Sequence, residues 1–324
     1  MNNTIRWGIL GCGEVTEVKS GPGFQKAEGS ALVAVMRRNG ELAADYARRH
    51  GVPRWYDNAE ALIADPEVDA VYIATPPAAH QPLALLCAAA GKPCYVEKPM
   101  AMSHAESLVM LQAFAHRHLP LFVAYYRRAM PRFQKIRELV QGGAIGSVRC
   151  VNLLLQQPVV PEDLNPAAQS WRVDPAIAGG GRFVDMGAHQ LDFLDYLFGP
   201  IIDVHGCAAS LAGTGAVEDT VSACFRFANG VVGTGNWCFA ASERIDRCEL
   251  IGSTGRLVFS TFDDAPVLLD TSTGSELFSI PNPEHVQQPL IQCVTDALLG
   301  RGSSPSTGES AARTDAVIDR ILGR

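Results

Sequence analysis

The chain has 324 residues, 47% of them apolar and 19% charged, and a net charge of −7. That length favours two domains over one, and the balance is that of an ordinary globular protein with a sizeable core. Its basic residues fall in scattered pairs (Arg37-Arg38, Arg48-Arg49, Arg127-Arg128), which excludes a phosphate-neutralising stripe and argues against nucleic acid as a partner.

No apolar run approaches ~18 residues, so no membrane span is expected. The N-terminus lacks the regions of a signal peptide. The nine cysteines are an odd count without Cys-x-x-Cys spacing. They read as small buried hydrophobes in a reducing compartment, with neither disulfides nor a metal site. The expectation is a soluble, cytoplasmic protein.

Residues 5–10 form a short apolar strand that stops on Gly11-Cys12-Gly13-Glu14-Val15-Thr16. Gly11 permits a tight turn, and Gly13, without a Cβ, lets backbone approach a phosphate. The N–H groups of a following helix then point at the anion. Gly11 to Val15 are therefore candidate dinucleotide contacts. Thr16 occupies the third position of the Gly-x-Gly-x-x-Gly pattern, so the motif alone also fits a simple tight turn.

A helical stretch follows, then a strand at 31–36. A helix spans 41–50, a brief strand 54–56, and a helix 58–64 capped by Asp57. A strand at 69–74 leads to an alanine-rich helix over 80–90. A strand at 93–96, a helix over 103–116 and a strand at 121–124 complete this half. Strands apolar on both faces and separated by helices mean a parallel sheet covered on both sides. Ligands of such a doubly wound sheet bind at the carboxyl ends of its strands.

The second strand ends on Arg37-Arg38-Asn39, with no acid before Glu41. An acid about 20 residues past the glycines holds a ribose 2′-hydroxyl, whereas arginine accommodates a 2′-phosphate. Two guanidiniums suit a phosphate dianion, so NADP(H) is expected over NAD. The competing reading is a solvated loop. The third strand ends on Thr75-Pro76-Pro77, a rigid exit leading to His80. These four are candidate contacts to the pyrophosphate or nicotinamide ribose, although His80 also reads as the start of the next helix.

The fourth strand ends on Glu97-Lys98-Pro99. Lys98 points into the cofactor cleft, and the proline holds it extended. A surface ion pair with Glu97 is the alternative, disfavoured because neighbours in a strand point to opposite faces.

From about residue 148 the pattern changes to strands at 148–157, 203–211, 219–228, 230–239, 247–251 and 256–261. Few helices separate them, so this half reads as α+β with a large, mainly antiparallel open sheet. Helices over 287–299 and 309–322 close the chain. The expected division is a dinucleotide-binding domain over 1–125 and a substrate-binding and oligomerisation domain over 126–324. Val221, Cys224, Val231, Trp237 and Phe239 are expected on the outer sheet face, where a homodimer or tetramer would cover them.

Within this half, Gly179-Gly180-Gly181 precedes Asp185, His189 and Asp192. If one helix carries Asp185 and His189, they share a face. A carboxylate beside an imidazole suits proton transfer near neutral pH. A capping Asp and a core His that merely bond each other remain the other reading.

Gly8-Ile9-Leu10-Gly11-Cys12-Gly13, Glu97-Lys98-Pro99 and the glycines with Asp185, Gly187, His189 and Asp192 together resemble the Gfo/Idh/MocA oxidoreductases (glucose–fructose oxidoreductase, inositol dehydrogenase and MocA). Trp171-Arg172, Glu218-Asp219 and the tail 304–309 fit the same pattern. Within the family the chain looks most like the 1,5-anhydro-D-fructose reductases, which use NADPH. It departs from them in having arginines at 37 and 38, and Tyr126 stands where many members have Asn.

The resemblance implies a Rossmann domain and hydride transfer to or from a sugar or cyclic polyol. It implies Lys98 and His189 at the substrate carbonyl or hydroxyl, with Asp185 beside them. It also implies Glu97, Tyr126, Trp171, Arg172 and His285 at the cofactor. The final proton donor, Lys98 or His189, stays open. So do two other activities of the fold, a non-catalytic redox sensor and a redox-assisted glycoside hydrolase.

Overall fold

The computed structural model describes residues 3–165, 170–213 and 216–324. It divides into two compact units, one of residues 1–130 with 283–312 and one of 131–282 with 313–324.

The first unit is a six-stranded, all-parallel sheet in the order β3-β2-β1-β4-β5-β6. Its strands are β1 (Ile5–Leu10), β2 (Ser30–Met36), β3 (Arg54–Tyr56), β4 (Ala70–Ile73), β5 (Cys94–Val96) and β6 (Leu121–Val123). Between them run α1 (Glu14–Val18), α2 (Gly21–Lys26), α3 (Gly40–His50), α4 (Ala59–Ala64), α5 (His80–Ala89) and α6 (His104–His116). β4, β5 and β6 are buried throughout, as strands covered by helices on both faces must be. This is the doubly wound Rossmann arrangement expected. One cap moves: Asn58, not Asp57, accepts from Ala61 N at 2.8 Å and starts α4.

The second unit carries α7 (Pro131–Gln141), β7 (Val148–Gln156), α8 (Pro175–Ala178), α9 (Ala188–Phe198), β8 (Ile201–Ala209), β9 (Thr220–Phe227), β10 (Val232–Cys238), β11 (Ile245–Gly252), β12 (Gly255–Phe259), β13 (Val267–Thr271) and β14 (Gly274–Phe278). The eight strands lie in the order β14-β13-β12-β11-β7-β10-β9-β8. β7 and β10 are parallel and the other neighbours antiparallel. α7, β13 and β14 are absent from the sequence reading.

The division differs from a single cut after residue 125. α10 (Gln288–Leu298) belongs to the first unit, and α11 (Gly308–Leu322) begins there. Side chains explain the return. Gln292 Nε2 donates to Glu28 O at 3.1 Å, Ser306 Oγ donates to Val123 O at 2.7 Å, and a Cβ on Gly23 would lie 3.0 Å from Ile291 Cδ1.

The sheet face needs correction as well. Val221, Val231, Trp237 and Phe239 are buried. Register pairs Val221 with Trp237 and Cys224 with Thr234, and successive residues alternate faces. Trp237 Nε1 donates to Gln190 Oε1 of α9 at 2.6 Å, so this apolar row is the covered one. The other face carries Cys224, Thr234, Asn152, Asn236 and Arg226, all exposed. The apolar argument for covering it with a second copy therefore falls.

All nine cysteines are free, as expected, but only Cys12, Cys87, Cys94 and Cys248 are buried, while Cys207 and Cys224 are exposed. No helix among the described residues is long and apolar enough to cross a membrane.

A charge cluster fastens α1 to α3. Glu17 accepts from Arg49 Nη2 at 2.7 Å and lies 2.8 Å from His50 Nε2. Arg49 first, then His50, outweigh partial burial and hold the Glu17 carboxyl down at about 2, from an ordinary 4.5. Because the folded value lies below the unfolded one, this contribution is present above about pH 4.5 and fades as pH falls toward 2. Glu17→Gln should therefore lower the melting temperature at pH 7, and its deficit should shrink steadily in melts taken down to pH 3. A deficit independent of pH would refute the assignment.

Candidate functional site

In the first unit the candidate cofactor residues gather at the carboxyl ends of β1, β2, β4 and β5. Gly11 turns the chain with φ +90°, and a Cβ there would lie 2.9 Å from Thr75 Cγ2 and 3.0 Å from the Ala74 carbonyl. Its own N–H donates to Met36 O at 2.9 Å, which draws the turn over the end of β2. The protein itself therefore demands glycine at 11. Gly13 is different. Its φ of −123° suits any residue, and the nearest atom to an added Cβ is Gly11 O at 3.9 Å. Nothing in the fold requires glycine there, whereas a phosphate seated on that backbone does.

Cys12 is buried, and burial raises its thiol to about 11. It presents backbone, not a reactive sulfur. Glu14 and Val15 open α1, and Thr16 Oγ1 donates to Gly13 O at 2.7 Å.

Arg37 and Arg38 are both exposed, and neither guanidinium forms a hydrogen bond or ion pair with the described residues. Other arginines of this unit behave differently: Arg6 is held by Asp69 and Glu67, and Arg48 and Arg49 by Asp45. Across the turn, Thr75 Oγ1 is buried without a hydrogen-bond partner. An orphaned hydroxyl beside a glycine cradle, with two unpaired guanidiniums at the next strand end, fits a phosphate-bearing dinucleotide.

Pro76 is exposed and Pro77 buried in the loop beyond Thr75. His80 has no exposed surface. Its ring nitrogens lie 2.9 Å from Pro99 O and 2.8 Å from Thr75 O, so the ring is packed between the β4 and β5 loops and one N–H can donate to either carbonyl. Burial lowers its pKa. Glu97 is likewise buried, bonded to Tyr72 OH at 2.5 Å and Gln287 Nε2 at 2.6 Å. Lys98 comes next, half-buried, and the Lys98–Pro99 peptide is cis. Tyr126 is buried beneath the Arg127 guanidinium, 5.0 Å from its ring centroid.

His285 is also buried. Its Nδ1 lies 2.7 Å from Val18 O, and Lys26 Nζ lies 2.7 Å from Nε2. With Nδ1–H as donor and Nε2 as acceptor, both nitrogens are used within the fold. His285 and His80 are therefore structural ties in this fold.

In the second unit Trp171, Arg172 and Asp185 come together. The Arg172 guanidinium lies 4.6 Å from the Trp171 ring centroid, and its Nε is 3.6 Å from Asp185 Oδ2. The approach to α9 is fixed by the glycines. Gly181 N donates to Glu218 Oε1 at 2.8 Å, and a Cβ at 181 would fall 2.2 Å from Glu218 O. Burial raises the Glu218 carboxyl. Residues Phe183–Gly187 form a π-turn that runs into α9. Asp185 and His189 thus lie on one continuous helical segment, but across an i→i+5 turn and not on an unbroken α-helix. His189 is buried, edge-on to Phe262 at 6.0 Å between ring centroids. Asp192 accepts from Thr314 Oγ1 of α11 at 3.5 Å. Gln287 and the π-turn are the features that sequence reasoning misses.

Residues 5–125 match the model of the oxidoreductase family with an NAD-binding Rossmann fold, and residues 133–258 match the GFO/IDH/MocA C-terminal domain. The chain belongs to the Gfo/Idh/MocA oxidoreductase family. It is 39% identical over 323 residues to oxidoreductase P35 of Formosa agariphila, covering all of both chains. It is 28% identical to the 1,5-anhydro-D-fructose reductase of Ensifer adhaerens, over 94% of this chain and 91% of that one. A solved levoglucosan dehydrogenase in complex with NADH is 25% identical, with a TM-score of 0.84 over 98% of this chain and 96% of that one.

The two glycines of the turn should separate in experiment. Gly11→Ala should destabilise the fold by about 1–2 kcal/mol through its positive φ. Gly13→Ala should leave the melting temperature unchanged while raising the dissociation constant for dinucleotide about tenfold, or ~1.4 kcal/mol. Thermal melts with and without NADPH distinguish the two. Equal destabilisation by both would refute the reading of Gly13.

Proposed function

We propose that the chain is an NADP(H)-dependent oxidoreductase moving a hydride between nicotinamide and a carbonyl or hydroxyl carbon of a sugar-like or cyclic polyol substrate. The unpaired Arg37-Arg38 pair carries the cofactor choice. An adenosine 2′-phosphate is a dianion, and guanidinium groups bind it by charge-assisted hydrogen bonds. The substrate class rests on the activities of the anhydrofructose reductase and levoglucosan dehydrogenase relatives.

A bound nicotinamide dinucleotide supplies or accepts the hydride. The proton is the protein's task. Lys98, at the end of β5, and His189, in α9, are the acid/base candidates. An ammonium or imidazolium donates to the developing alkoxide in reduction, and the neutral form takes the proton back in oxidation. Asp185 supports them through its carboxylate, itself oriented by Arg172 and the stacked Trp171.

The test monitors NADPH absorbance with anhydroketoses, osones, an inosose and diketones, with NADH in parallel. Consumption should occur with NADPH and little with NADH. Arg37→Ser and Arg38→Ser should each weaken NADPH binding by about tenfold or more, the scale of a charged hydrogen bond, and leave NADH binding unchanged. Saturable NADPH binding with no turnover of any compound would overturn the enzyme reading in favour of a sensor.

Lys98→Met and His189→Ala should retain fold and NADPH binding yet lose on the order of 10²–10⁴ in rate. If they act as one unit, the double variant should be no slower than the slower single one. Full turnover by Lys98→Met would sink the acid/base assignment.

A further inference from the structure

Gln287 has no exposed surface and stands just before α10, on the segment that returns to the first unit. Its Nε2 donates to Glu97 Oε1 at 2.6 Å, and its Oε1 accepts from Tyr95 OH at 3.3 Å. Tyr72 OH donates to the same Glu97 oxygen at 2.5 Å. The other oxygen, Oε2, accepts from the backbone N–H of Lys98 at 3.1 Å. Burial first, then the charge of Glu97, push Tyr72 and Tyr95 well above the ordinary phenol range, so both hydroxyls stay protonated donors.

The carboxylate is thus held from one side by a tyrosine and an amide, and from the other it holds the peptide of Lys98. Turning it away from Lys98 N breaks the bonds to Tyr72 and Gln287 together. The same segment is bonded to the end of α1, where Gln287 N donates to Lys19 O at 3.2 Å.

We propose that Gln287 is a positioning residue for Lys98: it fixes the Glu97 carboxylate, and the carboxylate fixes the direction in which the lysine leaves β5. The proposal rests on the reading of Lys98 as an acid/base group. A residue that merely fills space at this point would be replaced without loss by an apolar side chain of equal length. Holding a charged group within a fraction of an ångström of its productive position is what surrounding hydrogen bonds contribute.

Gln287→Met keeps the length and removes all three side-chain hydrogen bonds, to Glu97, Tyr95 and Tyr72. Tyr95→Phe removes one of two donors to Gln287 Oε1, and Tyr72→Phe removes the hydroxyl on Glu97 together with its longer, 3.5 Å bond to Gln287 Oε1. On the full-length chain, NADPH affinity, KM, kcat and the pH dependence of kcat would be measured beside Lys98→Met. Gln287→Met should bind NADPH and substrate within about twofold of the parent while kcat falls about tenfold, the pattern of an interaction that matters only in the transition state. The pH–kcat limb that disappears in Lys98→Met should move in Gln287→Met, and less so in Tyr95→Phe.

A parental kcat and pH profile in Gln287→Met, with Lys98→Met inactive, overturns the proposal alone. Full activity of Lys98→Met overturns the acid/base reading beneath it. If Gln287→Met does not fold, the two tyrosine variants decide, and parental kcat and pH profile in both overturn the proposal.

Discussion

A carboxylate buried at the carboxyl end of β5 sets the terms for the rest of that unit. Glu97 is only 7% exposed, and an acid taken out of water without donors is penalised by several kcal/mol. No single neighbouring element supplies enough donors. One comes from β4 through Tyr72, one from the chain itself at Lys98 N, and one from Gln287, far along the sequence. Trp7, Phe24, Tyr72 and Tyr95 pack in succession, with ring centroids 4.9 to 5.1 Å apart, the two tyrosines stacked and the other pairs tilted. The returning segment is needed to complete this centre, which is why the first unit does not end at its last strand.

Charge is distributed around that centre with a purpose that the totals conceal. A chain with a net charge of −7 has carboxylates to spare, and several arginines of the first unit take them. Arg6, Arg49 and Arg54 are each within 3.0 Å of an acid. Arg37 and Arg38 take none, at the strand end where a nucleotide ribose lies in this fold. A guanidinium attracts an anion of higher charge more strongly than one of lower charge.

The sequence made legible what depends on local chemistry. Strands apolar on both faces announced the parallel sheet, and the glycine turn after the first strand announced the Rossmann arrangement. What depends on distant contacts stayed hidden. Nothing near Gln287 marks it as a partner of Glu97, and nothing near His80 or His285 shows that backbone carbonyls claim their rings. β14 was missed because its residues Gly274–Leu277 are exposed and lack an apolar rhythm. α7 did carry a signal, with Phe133 and Ile136 three apart and buried, but Pro131 and a polar surround masked it. The sheet face was reversed because period two reveals alternation without saying which row is inside.

The π-turn shows how one local departure changes the chemistry on offer. On an unbroken α-helix, residues four apart lie nearly above one another and meet similar surroundings. One extra residue in the turn rotates the downstream helix by roughly 100° relative to the residues upstream of the turn. Asp185, inside the turn, keeps 28% of its side chain exposed and reaches Arg172, while His189, beyond it, is buried against Phe262. Both ends of the segment are anchored, at Gly181 by Glu218 and at Gln190 by Trp237, so the offset is fixed. The carboxylate and the imidazole meet two different environments. Two environments are what allow neighbouring ionisable groups to take different parts in one proton transfer.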